Sequence, residues 1–262
     1  MGIILLITIF VLSGCGKTTT NQTSEKKPTL TPVPTKPIEE SIKERPYLSL
    51  IPTSDGHRVD FSVKRTGKGS TGVDYELTYF ADLEGGKIER GVSSGGVAAK
   101  LTGNEEYSNR ILFGTESCTN GCKYKYDENV SEGTVSIKIA GGSLEKYSTV
   151  FRLQKGIEAK DGLTTGDGVF EFLGTLPTAG FYITTSTIGV PADLPQTVTA
   201  KSLPYAVFPS TGIKGTVLFK TSETTGKIML YDGSSWNSLD TAFSAGKASA
   251  ATSKGGIFIF VK

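Results

Sequence analysis

The hydrophobic positions of this chain recur with a period of two. Arg58–Lys64 places Val59, Phe61 and Val63 on one face. Val73–Phe80 places Val73, Tyr75, Leu77 and Tyr79 on one face, with Asp74, Glu76 and Thr78 on the other. Val135, Ile137 and Ile139 repeat the alternation. Successive strand side chains point to opposite sides, so this period marks strands with one wet face. Further strands are predicted at Tyr47–Ile51, Lys87–Val92, Val97–Leu101, Arg110–Phe113 and Tyr147–Leu153. Beyond them come Val169–Leu173, Phe181–Thr187, Gln196–Lys201, Thr216–Lys220 and Lys227–Tyr231. Asp55-Gly56, Glu84-Gly85-Gly86, Gly95-Gly96 and Gly141-Gly142 supply turn signals, and Asp232-Gly233 separates Tyr231 from a further strand at Trp236. Ile257–Val261 is apolar on both faces. That suits a central strand covered on both sides, or a terminal strand buried at a domain junction. No stretch sustains helical periodicity over three turns. Short strands at roughly 8–12 residue spacing imply an all-β chain of two β-sandwich domains of the immunoglobulin-like kind.

The N-terminus departs from this pattern. Met1–Gly14 has no charged residue, and Ile3–Leu12 is an apolar run broken only by Thr8. It is shorter than the about 20 residues a membrane span needs and fits the apolar core of a secretory signal peptide. Leu12-Ser13-Gly14-Cys15 resembles the lipobox of bacterial lipoprotein precursors: an aliphatic residue, two small residues, then Cys. The resemblance implies cleavage before Cys15 and a diacylglycerol group on its sulfur. The mature protein is then exported and held by membrane lipid through Cys15, facing the periplasm or the cell exterior. No Lys or Arg precedes Cys15, unlike the basic leader of that family, and a start codon further upstream would account for the difference. Gly16–Pro46 carries Pro28, Pro32, Pro34, Pro37 and Pro46 among Thr, Lys and Glu. Proline favours extended backbone, and so few apolar residues cannot build a core, so residues 15–46 read as a disordered Pro/Thr-rich stalk.

Charge divides the remainder. The chain holds 28 Lys and Arg against 26 Asp and Glu, and the net +2 lies wholly in the stalk. Residues 47–160 carry 15 charges of each sign, whereas 161–262 carry seven of each and no arginine. Charge density falls where Gly156, Gly162, Gly166 and Gly168 cluster, which places a domain boundary near residue 160. The first β-sandwich domain is then 47–160 and the second 161–262. A neutral body offers no basic field to hold nucleic acid.

A second resemblance lies in the C-terminal part. Pro191–Pro195, Tyr205–Gly212, Val217–Phe219, Tyr231-Asp232-Gly233, Trp236–Leu239 and Gly256–Val261 follow one another in an order similar to the β-sandwich domain shared by tight-junction scaffolds, netrin receptors and ankyrins. That family implies a scaffold or binding module over Phe181–Lys262. Some members cleave themselves at His-Phe-Ser; the triplet here is Ala242-Phe243-Ser244, so self-cleavage is not implied.

Candidate chemistry is sparse. Cys118-Thr119-Asn120-Gly121-Cys122 sets two cysteines around a turn pair, and in an exported protein a disulfide is expected. A redox pair or half a metal site are the alternatives. A metal site would need further ligands, and His57 is the only histidine. Catalytic motifs for nucleophilic hydrolysis, zinc proteolysis and dinucleotide binding are missing, and Gly14–Thr18 fails as a phosphate loop because Val11 stands where glycine is needed. Glu105-Glu106, Asp127-Glu128 and Glu132 could supply a carboxylate pair, and Asp161-Gly162 with Gly166-Asp167-Gly168 match no calcium loop. Aromatic residues hint at binding: Tyr124 and Tyr126 alternate with Lys123 and Lys125, and Tyr231 and Trp236 flank a turn. Such rings stack on sugars or anchor a partner protein when exposed, and pair across strands when buried. The expectation is a non-enzymatic envelope or surface protein with a structural or binding role, needing no cofactor or metal, whose partner is a surface protein or a glycan. The alternatives are a carbohydrate- or solute-binding accessory lipoprotein and a carboxylate-dependent envelope hydrolase.

The lipobox makes the first prediction. The protein should incorporate labelled palmitate and partition into detergent, and Cys15→Ser should abolish both. Normal labelling of that variant would overturn the assignment.

Overall fold

The computed structural model describes residues 42–102, 105–141 and 146–262. Cys15, the signal peptide and most of the stalk lie outside the described residues. Within them the protein is all-β, with antiparallel sheets and no helix. In chain order the strands of the first half are β1 (Tyr47–Pro52), β2 (Arg58–Lys64), β3 (Gly72–Leu83), β4 (Gly86–Ser93), β5 (Ala99–Lys100), β6 (Tyr107–Leu112), β7 (Gly114–Cys118), β8 (Cys122–Tyr126), β9 (Glu132–Ala140) and β10 (Lys146–Lys155). The second half supplies β11 (Leu163–Thr164), β12 (Phe170–Thr175), β13 (Phe181–Ser186), β14 (Tyr205–Phe208), β15 (Lys214–Lys220), β16 (Lys227–Tyr231), β17 (Trp236–Ser238), β18 (Thr241–Ser244), β19 (Lys247–Thr252) and β20 (Gly256–Val261).

One long sheet organises the molecule. Its order is β17-β16-β20-β14-β13-β10-β9-β3-β4, with β5 also on β3. It runs unbroken past residue 160, because β10 pairs with β13 from Phe151↔Thr185 to Lys155↔Phe181. A three-stranded sheet, β1-β2-β6, and a five-stranded sheet, β11-β12-β15-β19-β18, each cover part of it.

The two cores follow from strand parity. On β13, Ile183 joins the core formed with Leu48, Leu50, Phe61 and Phe151, whereas its neighbour Tyr182 joins the core of Phe170, Phe172, Phe219 and Phe258. Alternate residues of one strand point to opposite faces, so the two cores lie on opposite sides of the long sheet. The predicted alternation on β3 is observed: Val73, Tyr75, Leu77 and Tyr79 are buried and face β1, β2 and β6.

β20 resolves the doubly apolar segment. It is a central strand, paired with β14 and β16. Phe258 and Phe260 enter the second core, while Ile259 and Val261 pack on the other face against Ile42, Val190 and Leu194. Ile42 is 3% exposed and Arg45 is also buried. The last residues assigned to the stalk are therefore fixed against the body, because Ile42 has an apolar surface to cover.

The structure differs from the predicted strands at several places: β7, β8, β11, β14, β18 and β19 have no counterpart among them, and Val97–Leu101 shrinks to β5. Gln196–Lys201 forms no strand; it contributes Ala200 to one bridge with Val261, beside the end of β20 that β14 leaves open. β18 and β19 carry little hydrophobic contrast in sequence, and Ala248 and Ala250 are the core residues of β19.

A continuous sheet predicts coupled unfolding. Phe151→Ala in the first core should cost about 3–5 kcal/mol. Fluorescence of Trp236, in the second half, should report the lowered urea midpoint together with circular dichroism. Two separated transitions, with Trp236 unaffected, would show that the halves unfold independently.

Candidate functional site

The β7–β8 hairpin stands apart from both cores. It pairs only with itself, and nine of its ten strand residues are exposed. An isolated two-stranded hairpin is marginal in water, so it needs local fastening. Cys118 and Cys122 are cross-strand partners and form the expected disulfide at the tip. Thr119-Asn120-Gly121 connects them, with Gly121 at φ 98°. The chain-entropy contribution of so short a loop is about 2 kcal/mol. Glu116 approaches Cys118, but sulfurs joined to each other offer no thiolate for a metal.

The base of the hairpin is fastened differently. The Tyr79 hydroxyl accepts from the Gly114 amide at 3.0 Å and donates to Asp127 Oδ2 at 2.8 Å. Arg90 Nε lies 3.0 Å from the same carboxylate oxygen. Burial, and then Asp127, push the Tyr79 phenol far above its ordinary value. Gly114 sits at φ 145°, and a Cβ there would lie 2.2 Å from the Lys125 carbonyl oxygen. Only glycine lets the two strands meet at that point.

The hairpin register sorts its side chains. Tyr124 and Tyr126 share one face; Lys123 and Lys125 take the other. The two tyrosine rings lie at 6.1 Å with planes 2° apart. His57 stacks on Tyr126 at 4.1 Å, and the Arg58 guanidinium lies 4.7 Å from the Tyr124 ring centre and 5.6 Å from that of Tyr126. Asp55 accepts from the His57 amide and shapes the turn that brings His57 and Arg58 here. The result is an exposed aromatic and cationic strip whose parts come from two distant segments. Tyr124 and Tyr126 are 44% and 36% exposed, which leaves ring surface for a partner.

Tyr231 and Trp236 are placed differently. They are a cross-strand pair with ring centres 5.3 Å apart, both partly buried. The Trp236 indole donates to the Ala192 carbonyl at 3.1 Å. Between them Asp232 Oδ1 accepts from the Ser234 and Ser235 amides and the Ser234 hydroxyl. Those donors hold its carboxyl far below the usual range, the opposite of what a general acid requires.

Among the remaining candidates the carboxylates of Glu106, Glu132 and Asp167 have structural partners. Glu106 pairs with Lys64 at 3.4 Å and Glu132 with Arg152 at 3.6 Å. The Glu128 carbonyl receives the Asp82 amide. Asp167 accepts from Thr165, the Val169 amide and the Tyr205 hydroxyl, which makes it a turn anchor over the second core. Sequence reasoning did not link His57 and Arg58 to the tyrosines, since only the fold brings them together. Compared with family models, curated proteins and solved structures, the chain matches none.

The buried phenols predict an alkaline limit. Burial raises Tyr47, Tyr79, Tyr182 and Tyr205, and it raises Tyr107, beside Tyr75, to about 12. Each holds its proton in the fold at a pH where the unfolded chain has lost it. Their contribution is complete below about pH 10 and is lost as pH rises through the folded values. The urea midpoint should therefore stay level up to about pH 9 and fall above 10. Tyr79→Phe should lower the unfolding free energy by about 1–3 kcal/mol at neutral pH by stranding Gly114 and Asp127. An unfolding curve insensitive to both changes would contradict this account.

Proposed function

We propose that this protein is a lipid-anchored component of the cell envelope or surface with a non-enzymatic binding role. In this reading residues 1–14 are a signal peptide, Cys15 carries the lipid, and the stalk holds out two immunoglobulin-like β-sandwich units that share a sheet. The β7–β8 hairpin is the contact element. It supports the reading because it adds nothing to either core, yet a disulfide, the Tyr79 hydroxyl and a ring stack hold it rigid. Rigid aromatic groups lose little freedom on binding, so they suit a protein partner. Arg58 lies against the rings, with Glu116 on the same face, while Lys123 and Lys125 make the opposite face of the hairpin cationic, so a partner that wraps the hairpin with acidic groups suits it best.

Binding of the purified full-length protein to envelope preparations tests this. A hot-spot ring contributes about 2 kcal/mol or more, roughly thirty-fold in affinity. Tyr124→Ala with Tyr126→Ala should lose at least that much while leaving the unfolding midpoint nearly unchanged. Undiminished binding would overturn the role of the hairpin. Hydrolysis of a glycan or peptide panel at enzyme-like rates would overturn the non-enzymatic reading.

A further inference from the structure

A second surface lies away from the hairpin, where the three-stranded sheet meets the C-terminal half of the long sheet. An open groove of about 640 Å³ runs there, within the range of small-molecule sites. Its floor is aromatic and aliphatic: Tyr47, Phe208, Tyr231 and Ile257. One wall is the outer face of β1, β2 and β6. Register aligns Ser49 with Ser62 and Ser62 with Ser108; Ser49 is buried against Tyr47, so the wall presents the hydroxyls of Ser62 and Ser108. Their neighbours Leu50, Val63 and Tyr107 point to the opposite face, into the first core.

The charges of the groove are already matched. Lys64 pairs with Glu106 at 3.4 Å. The Asp232 carboxylate is taken by its own turn and by Asn237 at 3.1 Å, with Lys254 at 3.7 Å. An ionic ligand would have to compete with these pairings. What remains is the half-buried apolar surface of Phe208 and Tyr231 beside two accessible hydroxyls that both donate and accept. A sugar matches this set, since its C–H face stacks on rings and its hydroxyls exchange hydrogen bonds with serine.

The geometry points to a binding site for a short neutral oligosaccharide in this groove, with Tyr231 as stacking platform and Ser62 and Ser108 as the polar wall. This site is separate from the hairpin and does not depend on the role given to it.

Calorimetric titration of the full-length protein tests it, in a zwitterionic detergent because alkyl glycosides would compete. The probes are neutral di- to tetrasaccharides of glucose, galactose, mannose and N-acetylglucosamine, with a uronic-acid oligosaccharide as the anionic comparison. At least one neutral probe should bind with one-to-one saturation. Tyr231→Ala should weaken it ten-fold or more. Ser62→Tyr, which fills the groove from the wet face of β2, should abolish it with an unchanged circular dichroism spectrum. Should Tyr231→Ala misfold, Ser62→Tyr alone decides. Tyr124→Ala with Tyr126→Ala should bind the saccharide normally. Absence of binding by every neutral probe, preference for the anionic probe, or full binding by Ser62→Tyr would each overturn the site. None of these outcomes bears on envelope binding by the hairpin.

Discussion

Everything in this molecule depends on the pairing of β10 with β13. Five cross-strand pairs join the two halves of the long sheet there. Because a strand alternates sides at every residue, β13 serves two cores at once: Ile183 belongs to one, Tyr182 to the other. A slip of one residue would send each side chain to the wrong face. Register is therefore enforced from both sides, and the covering sheets can sit on opposite faces without a linker between them.

That arrangement fixes where exposed surface remains. The three-stranded sheet covers the first half of one face and stops at β14. Beyond it Tyr231 and Ile257 continue the same face, with Ile42, Val190 and Leu194 sealing its far part. The groove is the strip left between the covering sheet and the seal. The hairpin exists for a different reason. It leaves the body between β6 and β9, tied down through Tyr79 and closed at its tip. One surface is recessed and neutral; the other projects and carries cations.

Much of the architecture was legible from residue pattern. The alternation from Val73 to Tyr79 named the buried face of β3 correctly, and the turn glycines Gly56, Gly85 and Gly95 do adopt positive φ. Ile257–Val261 declared burial on both faces, though only topology could show a central strand. β19 escaped notice because its core residues are alanines, whose hydrophobic contrast with serine and threonine is small. The hairpin presented rings and lysines in alternation, but both faces are wet, so periodicity had no core to reveal. Arg58 over Tyr124 and the serine row across β1, β2 and β6 are long-range alignments. Nothing local in sequence encodes them.

The place of β20 has a consequence for synthesis. Strands β14 and β16 flank it, so they leave a vacant track in the middle of the sheet until Gly256–Val261 arrives. Until the ribosome releases those residues, Tyr205, Leu230 and Val190 lack the partner that covers them. The nascent second half cannot close early, and a message truncated before residue 256 yields a chain with an open, sticky seam rather than a shorter version of the fold.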